Sequence, residues 1–248
     1  MDCGPSFKTR EKKSHPESAE SGTFWISTLL ETDSRLRAAH GIGKDETEAS
    51  LRVFQTLQQR GHPDSPPPLI TDGWGGIDDA ILAVYGLVPV YSGRGRPPTC
   101  PKPGQDWRYL QMVKQRDEHG HLQEIQLRAV WGPLDELLEL LGKSTAYIER
   151  SHLTARLFNA RLTRKTLAFS KALSMHQAAL SWEDAYYNLI RPHKSLRLRN
   201  RRKAKSKWIP RTPAVTAGLT NHIWTVKELL LTVPLPVIHQ HIVEKILS

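Results

Sequence analysis

Cysteine is scarce: Cys3 and Cys100 are the two in 248 residues, too few for a disulfide framework and without paired metal spacing. A chain so poor in thiols is expected in a reducing cytoplasm. Long apolar runs are also missing, since none reaches the roughly 18 residues that a bilayer span requires. The start of the chain lacks a secretory leader pattern, because the apolar stretch Phe24 to Leu30 is short and follows polar residues. No internal repeat is visible. The hydrophobic fraction of 39% and charged fraction of 24% fit a globular protein.

Acid is depleted in one region. Between Lys143 and Arg211, seventeen Lys and Arg face three acids (Glu149, Glu183, Asp184), a local charge of +14 that leaves −4 for the rest of a chain whose total is +10. Such asymmetry points to a polyanion partner for one region, or to a solvated basic surface.

The patterning alternates strand and helix. Phe24 to Leu30 and Arg35 to Ile42 read as paired strands around the turn Glu31 to Ser34. Asp45 is placed to cap a helix through Arg60, stopped by Gly61. A Pro-rich loop leads to a short strand, Leu69-Ile70-Thr71, which runs into Asp72 and a glycine loop, Gly73-Trp74-Gly75-Gly76. A helix over Ile77 to Tyr85 and a strand-like Val88-Pro89-Val90 follow. Residues 92–131 read as an insertion, a Gly/Pro-rich loop and then a hairpin of Trp107 to Lys114 and Leu122 to Val130. Helices are expected over Leu134 to Leu141, Thr145 to Lys165, Ser170 to Leu189 and Thr225 to Leu231. The order implies an α/β fold with a mixed sheet. A catalytic domain over residues 1–190 and a basic extension over 191–248 are the expected parts.

Two carboxylates stand out. Asp72 lies at the carboxyl end of a strand, where α/β sheets place ligand-facing residues; it is equally placed to cap the following helix. Glu149 is an isolated acid followed by Arg150, Arg156, Arg161, Arg164, Lys165 and Lys171. On a continuous helix His152, Arg156, Thr163 and Arg164 fall within about 60° of it. A carboxylate among cations either neutralises them or holds a divalent metal beside a phosphate backbone that the cations grip.

The stretches TDGW, YIERSHLTARLFNARLTRKTLAFSKALSMH and YYNLIRPHKSL together resemble the DDE transposases of short bacterial insertion sequences, of the insertion-sequence-one type. The segment Arg211 to Leu230 is similar to the tail of one branch of that group. The resemblance covers nearly the whole chain and implies a ribonuclease-H-like core. It further implies that an Asp, Asp and Glu set binds two divalent ions, Mg²⁺ or Mn²⁺, about 3.5–4 Å apart, for DNA cleavage and strand transfer. By this resemblance the second Asp is Asp72 and the Glu is Glu149.

The first carboxylate is implied on a strand ahead of the first hairpin. Asp2, Ser6 and Phe7 match the family pattern, whereas Cys3 and Pro5 replace its Glu and Trp, and Gly4 and Pro5 weaken a strand. Asp33, in the turn, is the alternative. The family's amino-terminal DNA-binding region is not seen, so end recognition is expected to need a separate polypeptide. The candidate DNA contacts are His152, Arg156, Arg161, Arg164 and Lys165, then Arg191, His193, Lys194, Arg197, Arg201 and Arg202 of a basic, turn-rich segment. The partners expected are transposon-end and target DNA and a second copy of the chain, with no membrane and a nucleoid location. The competing readings are a ribonuclease-H-like nuclease and an inactive DNA-binding remnant.

Overall fold

Asp45 starts the first helix as its sequence position implies. Its Oδ1 accepts the Glu48 N–H at 2.8 Å, and Gly61 ends the helix by donating its N–H to the Leu57 carbonyl. In this computed structural model, which describes residues 24–93, 95–141, 145–163, 166–168, 170, 172–200 and 206–232, that helix is α1, Glu46–Arg60. It follows an antiparallel hairpin, β1 (Trp25–Leu30) and β2 (Arg37–Gly43). Ala49, Val53, Phe54 and Leu57 recur at helical spacing and are buried. Gly41 of β2 lies against α1 so closely that an added Cβ would come within 2.2 Å of the Ala49 carbonyl oxygen. Here glycine is required by close approach of two backbones.

Strand β3, Leu69–Asp72, pairs in parallel with β4, Tyr109–Arg116, and β4 pairs antiparallel with β5, Leu122–Trp131. The result is a mixed three-stranded sheet of order β3-β4-β5, beside the separate β1-β2 hairpin. The hairpin of residues 109–131 supplies the strand next to β3. The stretch around Val88 to Val90 forms no strand beyond a single bridge from Leu87 to Lys102, consistent with Pro89 having no N–H to give a ladder.

Helix α2 (Ile77–Tyr85) and α1 cover one face of both sheets, and the main core forms there from Leu29, Val53, Phe54, Leu69, Ile81 and Tyr109. Edge-on aromatic contacts of Trp107 with Tyr85 and Trp131 extend it. Burial pushes the Tyr85 and Tyr109 hydroxyls up to about 12. Behind the β1-β2 hairpin a second cluster joins Ile26 and Ile42 to Leu162 and Leu180. The fold is α/β, a mixed sheet flanked by helices, as expected.

Helix α3 spans Leu134–Leu141. Helix α4, Ala146–Phe158, is shorter than the stretch to Lys165 that the pattern implies. Asn159 leaves helical backbone geometry and its side-chain oxygen accepts the Arg161 N–H, opening a separate 3₁₀ turn at Ala160–Leu162. Helix α5 runs Leu173–Ala185 and then widens into a π-turn over Tyr186–Ile190, which the Arg191 N–H closes on the Tyr186 carbonyl at 3.0 Å. No helix among the described residues is long and apolar enough to cross a membrane.

The chain divides into two units between Glu183 and Asp184, slightly ahead of the division expected after residue 190. The second unit holds a short hairpin, β6 (Leu198–Arg199) with β7 (Trp208–Ile209), then α6 (Pro213–Thr216) and α7 (Val226–Leu231). A capping box formed by Thr225 and Glu228 starts α7.

Candidate active site

Alternation along β3 and β4 sorts their side chains. Leu69 and Thr71 point into the main core, where the Thr71 hydroxyl meets the Tyr109 hydroxyl at 2.9 Å. Ile70 and Asp72 therefore face the opposite side of the sheet. Asp72 pairs in register with Met112, so Asp72, Met112 and Lys114 share that opposite face. Asp72 does not cap α2, whose cap position is Gly76, without a side-chain bond. Its Oδ1 instead accepts the Trp74 N–H at 3.4 Å, across the glycine loop. Gly73 belongs to the same design, since a Cβ there would stand 3.0 Å from the Val113 side chain on β4.

Glu149 approaches the same face from α4. The Thr145 hydroxyl, at the cap position of α4, turns to the Met112 sulfur (3.8 Å) and to Glu149 Oε1 (3.5 Å). The Lys114 ammonium forms an ion pair with Glu149 Oε1, with side chains 28% and 43% exposed respectively. The first turn of a helix favours a carboxylate through its unpaired N–H groups. Asp72 and Glu149, far apart in sequence, are thus gathered on one sheet face around Met112 and Lys114. Both offer hard oxygen donors of the kind Mg²⁺ and Mn²⁺ take. Among the described residues no group of three or more His, Cys, Asp or Glu comes together as a metal site. Asp2 lies outside the described residues.

Two arginines clamp α4 to the β1-β2 hairpin. Arg37, buried on β2, donates Nε to the Ser151 hydroxyl (2.8 Å) and Nη2 to the Ser151 carbonyl (2.9 Å), and pairs with Glu183 at 2.6 Å. The Arg35 guanidinium lies 3.2 Å from the centre of the Tyr147 ring. Arg35 takes φ of 63°, a left-handed conformation that turns the chain from the hairpin loop into β2. In that loop burial alone would raise the Glu31 carboxyl, but the Ser34 hydroxyl and the backbone N–H groups of Asp33 and Ser34 outweigh it and hold it below the usual range. Asp33 itself is exposed and lines a cleft beside Leu69 and Ile70 at the start of β3, whereas Asp72 ends that strand.

The candidate phosphate-gripping residues fall into separate places. His152 and Arg156 are half-buried on α4 with Glu149. Because α4 stops at Phe158, Thr163 leaves the face that helical periodicity assigned it, and its hydroxyl donates back to the Arg156 carbonyl (3.2 Å). Arg161 turns to the Ser170 hydroxyl at 2.9 Å. Arg164 and Lys165 lie outside the described residues, as do Arg201 and Arg202. In the second unit Arg191 and His193 are half-buried, with His193 edge-on to Tyr187 at 4.6 Å, while Lys194 and Arg197 are exposed. The Arg197 guanidinium stacks 4.0 Å from the centre of the Trp208 ring.

Lys114, Thr145 and Arg37 escaped the sequence reading. Lys114 carried a signal, being a cation at the third position of a face that otherwise reads Leu110, Met112. Arg37 carried none, because its partners, Ser151 and Glu183, are remote in sequence, as is the Met112 that Thr145 meets beside the nearby Glu149. Compared with known proteins, the chain matches no family model, no curated protein and no solved structure.

Proposed function

We propose that this chain is the catalytic part of a DDE transposase with a ribonuclease-H-like core, cleaving and joining DNA at transposon ends. The observation that carries the reading is the shared sheet face of Asp72, at the end of a strand in register with Met112, and Glu149, which reaches Lys114 on the same strand as Met112 from a helix. The motif resemblance selects these two acids independently of that geometry.

A second observation supports it. Among the described residues β1 pairs only with β2, and β3 pairs only with β4. A cleft of about 390 Å³ is lined by Thr28, Leu29 and Leu30 of β1 and by Leu69 and Ile70 of β3. The family's first strand, which carries its first Asp, would run between two such edges, antiparallel to β1 and parallel to β3. Asp2 is the residue assigned to it by resemblance.

In this reading Asp72 and Glu149, with Asp2, hold the divalent ions. Bound, those ions would supply activation of the attacking hydroxyl and neutralisation of the leaving oxygen. The protein's own part is orientation. Arg37 fixes α4 and so the position of Glu149. The basic surface of the second unit would bind duplex phosphates with strong salt dependence.

The test is incubation of the chain with supercoiled plasmid and a pre-cut transposon-end duplex in Mn²⁺, beside Glu149→Gln. Joined products from the native chain alone are expected. Nicking without joining selects the nuclease reading. Retardation of DNA with neither cleavage nor joining refutes catalysis and leaves a DNA-binding remnant.

A further inference from the structure

We infer that Lys114 is a built-in counter-cation of the metal site, holding Glu149 in place before metal arrives and yielding its position to the ion. The inference rests on the proposed metal role of Glu149. Lys114 stands on β4 two residues beyond Met112, the register partner of Asp72, so its side chain extends past the end of β3 on the face that carries both acids. Its ammonium contacts the same Glu149 oxygen that accepts from Thr145. That oxygen already serves an ammonium and a hydroxyl, so a divalent ion must either displace Lys114 from it or bind through Oε2 beside the ammonium. Lys114 also carries a positive charge into the space an incoming cation would enter, which weakens metal binding by repulsion. It is a positioning residue. It orients and neutralises Glu149 in the metal-free protein, and it sets the threshold at which the site loads.

A merely structural ion pair makes a different forecast. Removing it would lower stability and leave metal affinity unchanged. The experiment is calorimetric titration of Mn²⁺ into the full chain as native, Lys114→Met, Lys114→Gln, Lys114→Arg and Glu149→Gln, with the melting midpoint of each recorded. Two neutral replacements guard against one failing to fold. Lys114→Met and Lys114→Gln are expected to bind Mn²⁺ about two- to fivefold more tightly than native, the scale of losing one partly exposed ion pair. Lys114→Arg is expected to match native, and Glu149→Gln to bind far more weakly. Glu149-dependent binding that neither neutral variant strengthens overturns this inference and leaves the proposed function standing. If Mn²⁺ binding is absent or indifferent to Glu149 in every protein, both fall.

Discussion

Replacing Arg37 with Met is expected to be among the most destabilising single changes in the first unit. The guanidinium is 2% exposed and its partner carboxylate on Glu183 10%. Three of its nitrogens are engaged, one with Glu183 and two with Ser151. Met fills much of the volume of the Arg stem, so packing loss is small. What remains is a buried carboxylate without its cation and a buried serine without its donors. Breaking a buried pair from one side costs about 3–5 kcal/mol, because the stranded charge keeps its desolvation penalty. For a protein of this size each kcal/mol lowers the melting midpoint by about 2–4 °C, so a fall of about 6–20 °C is expected by calorimetry or circular dichroism. The double variant Arg37→Met, Glu183→Leu removes both charges and is expected to recover more than half of the loss, a coupling read from a double-mutant cycle. A fall below about 2 °C for Arg37→Met, or a double variant worse than the sum of the singles, would refute the claim that this clamp secures α4.

Two further outcomes are expected. Gly41→Ala drives a methyl into the α1 backbone at Ala49 and Val53; the overpacking should cost about 1–3 kcal/mol, seen as a lower urea midpoint, and an unchanged midpoint would show that α1 can shift without penalty. His176 is held below its ordinary 6.5 by burial and then by Arg161 and His40. The unfolded chain therefore binds this proton more readily than the folded one, and stability is full above pH 6.5 and falls as pH drops below it. Melting midpoints from pH 7.5 to 5 should decline less for His176→Gln than for the native chain, and parallel declines would exclude His176 as the cause.

Much of the local structure was legible in the sequence because it is set by short-range chemistry. Asp45 and Gly61 bound α1 through hydrogen bonds within a few residues, and the period of Ala49, Val53, Phe54 and Leu57 marks its buried face. The β1-β2 and β4-β5 hairpins follow from alternation around polar turns. Asp72 and Glu149 could be singled out for the same reason, one at a strand end before glycines and one isolated among cations.

Contacts between segments distant in sequence were left to the tertiary structure. The parallel pairing of β3 with β4 crosses the intervening α2 and a long loop, and no local pattern encodes it. Periodicity alone would carry α4 to residue 165; the side chain of Asn159 ends it by competing for backbone donors. That Asp72 does not cap the following helix, and which face of the sheet it takes, came only from the cap at Gly76 and the register with Met112. The partners of Glu149 come from β4 and the cap of α4, and the arginine that anchors its helix comes from β2. Sequence alone determined which acids stand apart and where helices begin; only folding, by bringing remote strands and helices into hydrogen-bonding and van der Waals range, decided which residues surround them.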